Sequence, residues 1–232
     1  MNLSTQQIKD INSLLNNTLT ENRKNTFERV LGNRTRYLTV VLEDIFQEHN
    51  ASAVVRSCEC FGVQDLHVIE NRNRFTRSVN TTAGADKWIN ITRWNKTASD
   101  NTKPCLSSLK ERGYNLIALT LSPSAIPLNE VKLDKPTALC IGTEMQGLSE
   151  TVHDLADTHA YIPMHGFTQS FNLSVCTALC LYELTNRIRK LKAPWQLSEE
   201  ETEAIKFEWL KKNVKGSKRQ IEDFLAAAPS AV

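Results

Sequence analysis

The sequence of 232 residues lacks the patterns that define several common protein classes. No apolar run approaches the roughly 20 residues that a membrane-spanning helix needs, and the polar start MNLSTQQIKDIN is unlike a secretory signal. We therefore expect a cytoplasmic protein without a membrane span. The patterns GxGxxG and GxxxxGK followed by Ser or Thr do not occur, which argues against a dinucleotide-binding dehydrogenase and a P-loop enzyme. No internal repeat or low-complexity segment is present either.

Cysteines are present, but not in the spacing of a metal site or a disulfide framework. No CxxC pair occurs, and most of the six lie in apolar stretches. We interpret them as reduced core residues and expect no metal. They are Cys58, Cys60, Cys105, Cys140, Cys176 and Cys180.

The formal net charge is only +2, but the charge is unevenly distributed. Residues 1–36 carry six Lys or Arg and three Asp or Glu, residues 187–232 carry ten and seven, and residues 37–186 carry twelve and sixteen. The ends are therefore each +3 and the middle is −4. Either the basic residues lie on solvated helix faces or the two ends contact a polyanion.

Short β-branched or aromatic segments alternate with helical patterns through the middle of the chain, which predicts an α/β fold with a mostly parallel sheet. Strands are predicted at 37–43, 65–70, 88–92, 114–121, 137–143 and 159–164. Helices are predicted at 50–61, about 99–111, 149–156 and about 172–191. A capping box from Ser4 to Gln7 begins a helix to about residue 16, a second helix spans about 20–31, and polar helices at 198–213 and 217–227 end the chain.

Ligands of parallel α/β sheets bind beyond the carboxyl ends of the strands, where three loops carry polar residues. In EHNASAVVR (48–56), Asn50 can cap the helix that carries Arg56. Arg56 has apolar neighbours, so it needs a partner, either an interior acid or a bound anion. In GTEMQGLSE (142–150), Gly142 and Gly147 surround Glu144 and permit unusual backbone angles and close approach of a ligand.

The third loop, PMHGFTQSFN (163–172), precedes an apolar helix with more polar groups than one helix cap needs. Ser170, Asn172 or Ser174 can satisfy the free N–H groups of the helix. Either the cluster is only a cap, or it is a binding site at the positive end of the helix, which suits an anionic group. The surplus of polar groups favours a site.

Together, the three loops resemble the three motifs of the SPOUT superfamily of RNA methyltransferases, in particular the TrmH branch of tRNA ribose 2′-O-methyltransferases. The match extends over about residues 36–190. The matching residues are Asn50, Ala53, Arg56 and Gly62 in the first motif, Gly142, Glu144, Gly147, Leu148 and Ser149 in the second, and Ile162, Pro163, Met164, Ser170, Asn172, Ser174 and Val175 in the third.

This resemblance implies a SPOUT domain at 35–192 with a deep trefoil knot at about 137–190, helical RNA-binding ends at 1–34 and 193–232, and a homodimer with the knot region at its interface. It implies S-adenosylmethionine as cofactor, held by loops at 119–121, 142–147 and 161–173. The implied cofactor-binding residues are Leu119, Thr120, Leu121, Gly142, Thr143, Glu144, Gly147, Tyr161, Ile162, Met164, Ser170, Phe171 and Leu173.

The implied substrate is a ribose of folded RNA, typically guanosine 18 of the tRNA D-loop. The implied catalytic residues are Arg56, Asn50, Glu144, Ser170 and Asn172. Because a guanidinium stays protonated in proteins, we expect Arg56 to bind the RNA phosphate as a cation. Arg72, Arg74 and Arg77 crowd one loop and are expected, with Arg34 and Arg56, to contact RNA.

Three residues depart from the family pattern. Met145 and Gln146 follow Glu144 where a basic residue is common, and Phe171 replaces the usual Leu. These differences affect the expected RNA contacts near that loop. Methylation of ribosomal RNA or of another tRNA position, and RNA binding without catalysis, are the alternatives. A flavodoxin-like nucleotide-binding protein is a further alternative, but the chain has no phosphate loop.

Overall fold

A parallel β-sheet forms the centre of the segment Thr35–Trp195. The computed structural model describes residues 3–96 and 100–227, and within them the sheet has seven strands. The strands are β1 (Leu38–Glu43), β2 (Asp65–Ile69), β3 (Asn90–Trp94), β4 (Asn115–Leu119), β5 (Ile126–Pro127), β6 (Thr137–Ile141) and β7 (Thr158–Tyr161). Their order is β3-β2-β1-β6-β4-β7-β5, and all neighbouring pairs run parallel.

Helices cover both faces of this sheet, because alternate side chains of a strand point in opposite directions. The helices of this unit are α3 (Glu48–Cys60), α4 (Val79–Thr82), α5 (Thr102–Glu111), α6 (Glu150–Leu155) and α7 (Leu173–Ile188). Val40 of β1 lies in one core with Val54 of α3 and Leu181 of α7. Its neighbour Val41 lies in a second core with Leu106 of α5. The predicted α/β fold with a parallel sheet is confirmed.

The strand boundaries differ most from the predictions where strands are weakly buried. The segment predicted at 88–92 forms β3 two residues later, and most of its side chains are exposed or half-buried because β3 lies at a sheet edge. Strand β5 was not predicted, since two residues carry no periodic pattern and pair only with β7. The strand predicted at 159–164 ends at Tyr161, before Pro163.

The helix starts follow the capping chemistry in most cases. The capping box of Ser4 and Gln7 is present, as predicted. The prediction that Asn50 caps α3 is wrong: α3 begins after Gln47, which makes no side-chain cap, and Asn50 lies inside the first turn. The helix predicted from about residue 99 begins at Thr102, and residue 99 itself lies outside the described residues.

The two ends of the chain, Met1–Arg34 and Gln196–Val232, form a second unit. Its helices are α1 (Thr5–Asn16), α2 (Glu21–Leu31), α8 (Glu199–Asn213) and α9 (Ser217–Ala227). Ile11 is fully buried, and the rings of Phe27 and Trp209 meet edge to face at 5.7 Å. The Asn12 amide donates to the carboxylate of Glu203 over 2.6 Å, which joins α1 to α8. Residues almost 200 positions apart in sequence thus share one small core.

The cysteines are free, and not all of them are core residues. Cys60 is exposed and Cys176 is only half-buried, so the prediction is wrong for these two. Burial raises the pKa of the Cys105 and Cys140 thiols well above the ordinary range, which keeps both protonated and unreactive.

Candidate functional site

A tight turn follows strand β6, and its two glycines have different tasks. The backbones of Thr143 and Gly147 donate to each other's carbonyls over 3.0 Å. A Cβ atom on Gly142 would lie 2.1 Å from the carbonyl oxygen of Gly147, so only glycine fits there. Gly147 itself has φ +68°, which favours glycine. The glycines therefore let the backbone fold upon itself and present Glu144 at the tip of the turn.

One carboxylate oxygen of Glu144 joins the three predicted motifs. Glu144 Oε1 accepts from the Asn50 amide at 2.9 Å, from the Asn172 amide at 3.0 Å and from the backbone N–H of Leu173 at 3.3 Å. The Asn172 amide also donates to Asn50 Oδ1 over 3.1 Å. The site thus connects residues that are 122 positions apart in sequence.

Asn172 has two functions, because its two amide atoms point in different directions. Its Oδ1 accepts from the backbone N–H groups of Ser174, at 3.0 Å, and Val175, at 3.4 Å, and so caps α7. Its Nδ2 donates to Asn50 and Glu144. The polar cluster before α7 is therefore a helix cap and also part of the Glu144 site. Its capping oxygen also accepts from the Ser174 hydroxyl over 2.6 Å.

A cavity of about 320 Å³ opens beside the Glu144 turn, between the loops that follow β4, β6 and β7. Its size falls in the ~300–1,000 Å³ range of small-molecule sites. All thirteen residues expected to hold a cofactor line it. They are Leu119, Thr120, Leu121, Gly142, Thr143, Glu144, Gly147, Tyr161, Ile162, Met164, Ser170, Phe171 and Leu173.

Five lining residues were missed by the sequence analysis. Ile141, Met145 and Gln146 flank the predicted turn residues, and Gln169 precedes Ser170. Cys176 lies one helical turn after Asn172, so the periodicity of α7 was the available signal. A hydrogen bond with the Cys180 thiol lowers the pKa of Cys176, which lines the cavity.

Arg56 lies outside the cavity wall, and its environment differs from the expectation. The apolar neighbours Val54, Val55 and Cys58 are fully buried, whereas Arg56 points to solvent on another side of α3. Among the described residues no hydrogen bond or ion pair to Arg56 is found. The interpretation that Arg56 pairs with an interior acid is therefore wrong, and its charge is available to the alternative partner, a bound anion. Asn50 and Asn172 also do not line the cavity.

The arginines expected to contact RNA have different environments. Arg72 and Arg77 are exposed and pair with Asp44, at 3.4 Å, and with Asp86, at 3.2 Å. Arg74 is exposed and makes no ion pair in the described part of the chain. These three side chains are accessible to a phosphate.

Arg34 does not fit the expected RNA contact. Only 1% of its surface is exposed, and its guanidinium lies 5.3 Å from the ring centre of Trp209. The prediction that Arg34 binds RNA is wrong, because a phosphate cannot reach a guanidinium that is enclosed within the helical unit. Arg34 instead stabilises that unit by a cation–π contact.

Neither a membrane span nor a metal cluster is seen in residues 3–96 and 100–227. None of their helices has the length and apolar character needed to cross a bilayer. They also contain no group of three or more His, Cys, Asp or Glu side chains arranged to hold a metal ion.

Comparison with known proteins identifies the family. Residues 37–182 match the SpoU rRNA Methylase family, and the chain belongs to this family. It is 40% identical to a tRNA (guanosine(18)-2′-O)-methyltransferase of Borreliella burgdorferi, over 87% of this chain and 90% of that protein. The predicted resemblance to the tRNA ribose 2′-O-methyltransferases is confirmed.

Solved structures agree with this assignment. A TrmH/SpoU tRNA modifying enzyme of A. aeolicus has a TM-score of 0.73 and 34% identity, covering 84% of this chain and 98% of its own. The SpoU methyltransferase AviRb of Streptomyces viridochromogenes, crystallised with AdoMet, has a TM-score of 0.59 and 21% identity, covering 71% and 65%. At that identity, the second likeness concerns the fold alone.

Proposed function

We propose that this protein is an S-adenosylmethionine-dependent tRNA ribose 2′-O-methyltransferase that acts on guanosine 18. The observation that carries the proposal is the convergence of Asn50, Glu144 and Asn172 beside a cavity enclosed by three loops. The relative with 40% identity is a tRNA (guanosine(18)-2′-O)-methyltransferase over nearly the same length, which supports the nucleotide.

The cavity fits the cofactor in chemistry and in size. Leu119, Leu121 and Ile162 supply apolar walls, and Thr143 and Ser170 supply hydroxyl groups. The turn at Gly142 leaves no room for a side chain, because the backbones of Gly142 and Gly147 lie close together beside the cavity. These residues and the other expected cofactor-binding residues would hold S-adenosylmethionine, which supplies an electrophilic methyl group.

The protein contributes mainly by positioning the ribose hydroxyl, which can lower the barrier by ~7–11 kcal/mol. Arg56 binds the RNA phosphate next to the target ribose, since its guanidinium is exposed and stays cationic. Ser170 lines the cavity and orients the ribose. Glu144 holds Asn50 and Asn172 in fixed orientations through its Oε1. The hydroxyl proton leaves late, to phosphate or water.

RNA contacts are assigned to the loop with Arg72, Arg74 and Arg77 and, separately, to the helical ends at 1–34 and 193–232. Residues 1–36 and 187–232 each carry a net charge of +3, which suits a polyanion. A tRNA substrate is consistent with the cytoplasmic location expected from the sequence.

The protein is a homodimer through α7, and the chain from about 137 to 190 forms a trefoil knot. Helix α7 exposes the apolar residues Val175, Leu179 and Tyr182 at helical spacing, and Phe171 precedes them. An apolar stripe of this kind favours a second copy as the partner. For the knot, the support is that β6 lies between β1 and β4 and β7 lies beyond β4. Arg187 of α7 also donates to the carbonyls of Leu128 and Val131, which lie in the connection between β5 and β6.

Methyl transfer from labelled S-adenosylmethionine to tRNA transcripts tests the proposal. We expect label in a tRNA with guanosine 18 and none in the matched transcript with adenosine 18. Label in both transcripts, or in ribosomal RNA alone, would assign another nucleotide, and no label in any RNA would contradict an enzyme.

Substitution of Arg56 tests the proposed role of this residue. Arg56→Ala should bind S-adenosylmethionine with a near-normal Kd and lower methyl transfer at least 100-fold, because a phosphate anchor is lost. Arg56→Lys should also have a low rate of methyl transfer, since an ammonium does not reproduce the planar guanidinium fork. A loss of cofactor affinity as large as the loss of rate would contradict the role.

A further inference from the structure

A buried carboxylate, Glu43, lies between the two loops assigned to the cofactor and to RNA. Glu43 is the last residue of β1, and only 3% of it is exposed. Its Oε2 accepts from the backbone N–H of Ser149 over 2.8 Å, and its Oε1 accepts from the Ser149 hydroxyl over 2.8 Å. Ser149 lies two residues after Gly147, the last residue of the Glu144 turn, and caps α6. Glu43 therefore fixes the point where the cofactor loop ends.

The same carboxylate reaches toward the arginine loop, which we define as residues 71–77. Glu43 Oε1 also accepts from the Thr102 hydroxyl over 2.6 Å. That hydroxyl accepts from the Asn71 amide over 2.9 Å, and the amide oxygen of Asn71 accepts from the backbone N–H of Asn101 over 2.7 Å. A continuous series of hydrogen bonds thus runs from Ser149 through Glu43 and Thr102 to the first residue of the arginine loop.

The next residue of the chain, Asp44, completes the support of the arginine loop. Asp44 is buried and has φ +54°, an unusual value for a residue other than glycine. Its Oδ1 accepts from the backbone N–H groups of Asn71, Arg72 and Asn73 over 2.7, 2.8 and 3.2 Å. Adjacent carboxylates at the end of β1 thus hold the arginine loop, one directly and one through Thr102.

We propose that Glu43 is a positioning residue for both ligands, because it holds the cofactor loop through Ser149 and the arginine loop through Thr102. The proposal rests on the assignment of these loops to S-adenosylmethionine and tRNA. Glu43 itself is too buried to touch either ligand. Its function is to keep the two loops at a fixed separation, so that the methyl group and the ribose meet.

The acceptor count explains why an acid is needed at position 43. Three donors converge on two oxygens, and a carboxylate consists only of acceptors. A glutamine would turn its N–H₂ group either toward the backbone N–H of Ser149, where a donor faces a donor, or toward the two hydroxyls, which could then accept but would no longer donate to the side chain at position 43. The network therefore selects Glu over its isosteric amide.

Variants of Thr102 separate positioning from stability. Thr102→Val keeps the shape but removes the hydroxyl that joins Glu43 to Asn71, and Thr102→Ser keeps the hydroxyl. We expect Thr102→Val to weaken tRNA binding about 10-fold and to leave the Kd for S-adenosylmethionine within 2-fold, as ~1.4 kcal/mol corresponds to a factor of ten. Thr102→Ser should bind both ligands like the original protein, even if its Tm falls.

Variants at the other positions should show the complementary pattern. Ser149→Ala should weaken S-adenosylmethionine binding about 10-fold with little effect on tRNA binding, and Glu43→Gln should weaken both. If Glu43→Gln does not fold, the Thr102 and Ser149 variants still test whether Glu43 positions the two loops. Equal binding of tRNA by Thr102→Val and Thr102→Ser would overturn the proposal. If instead the unmodified protein binds neither ligand, the proposed function fails first.

Discussion

At the scale of single residues, Asn172 shows how one side chain serves both the fold and the site. Its oxygen caps α7, and its nitrogen donates to Asn50 and Glu144. A cap alone accounts for ~0.5–2 kcal/mol of stability. The sequence suggested either a cap or a site, and the two amide atoms explain why both interpretations apply.

Substitution of Asn172 by Asp separates these two functions. Asp keeps the capping oxygen and suits the helix dipole. In the original protein Asn172 Nδ2 lies 3.0 Å from Glu144 Oε1, so in the variant a second carboxylate oxygen would face this carboxylate. We expect the free energy of unfolding to change by less than about 1 kcal/mol, because Glu144 is exposed. Methyl transfer per folded molecule should fall at least 100-fold.

The matched control for this prediction is Asn172→Ser, which also caps a helix but carries no charge and no amide donor. This variant should fold stably but transfer methyl groups slowly, since a serine at this position lacks the amide that donates to both Asn50 and Glu144. Full activity in both variants would show that Asn172 is a helix cap and has no catalytic role.

His67 predicts a pH dependence of stability. It lies in β2, only 4% of it is exposed, and its Nδ1 accepts from the Trp94 indole N–H over 3.2 Å. Burial lowers its pKa from 6.5 to about 4; Asp65 opposes this shift and Arg112 adds to it. Between these two values the unfolded chain binds a proton that the folded protein does not bind. Stability is therefore lost as the pH falls from about 6.5 toward 4.

Urea unfolding at pH 7 and pH 5 measures this effect. We expect His67 to account for a loss of about 2 kcal/mol at pH 5, on the order of 1.36 kcal/mol per pH unit. His67→Gln keeps an acceptor for Trp94 but does not titrate. The free energy of unfolding of this variant should therefore fall less between pH 7 and pH 5 than that of the original protein. The same pH dependence in both proteins would exclude His67 as the cause.

At the scale of elements, the helices α1, α2, α8 and α9 were predicted within one residue of their observed bounds. The capping boxes of α1 and α8, at Ser4 and Ser198, mark the observed helix starts. The start of α3 was misplaced because Asn50 resembles a cap in sequence, whereas its amide contacts Glu144, 94 positions away. Asn50 shows that a distant residue can bind the side chain that a local cap would need.

The turn after β6 gives a prediction at this scale. In Gly142→Ala the new Cβ atom would overlap the Gly147 carbonyl at 2.1 Å, so the turn must open. We expect a weaker S-adenosylmethionine affinity, by at least 10-fold, because the turn forms one wall of the cavity. Isothermal titration calorimetry measures the Kd.

Gly166 supplies a matched control, since a Cβ atom there would meet nothing within 4 Å. Gly166→Ala should bind the cofactor within 2-fold of the original protein. If Gly142→Ala also binds normally, the turn is not part of the cofactor site.

At the scale of the whole molecule, the apolar stripe on α7 predicts the oligomeric state. Leu179 lies in the middle of the stripe, and 41% of it is exposed. Leu179→Asp should convert the proposed homodimer to monomers, because an unpaired carboxylate in an apolar interface is costly to bury. Analytical ultracentrifugation at micromolar concentration measures the mass.

Leu14 on α1, which is 37% exposed, is the matched control outside the stripe. Leu14→Asp should remain a dimer. If the unmodified protein is a monomer at the same concentration, the stripe has another role and the homodimer proposal is wrong.

The fold class, the order of most elements and most residues of the cavity wall could be predicted from the sequence. These features have local signals: β-branched strands, capping residues and the motif residues Gly142, Glu144 and Gly147. Because parallel strands place their carboxyl ends at one edge, the three loops could be expected to meet. Charge alone was less informative, since Arg34 and Arg74 look alike in sequence.

Contacts between distant segments determine which of these residues are enclosed and which are exposed. Trp209, which encloses Arg34, is 175 residues away in sequence, and Arg56 turned out to be exposed despite its apolar neighbours. The link from Ser149 through Glu43 to Thr102 likewise joins three distant segments. Burial and hydrogen-bond partners depend on contacts between such segments, and no local pattern encodes those contacts.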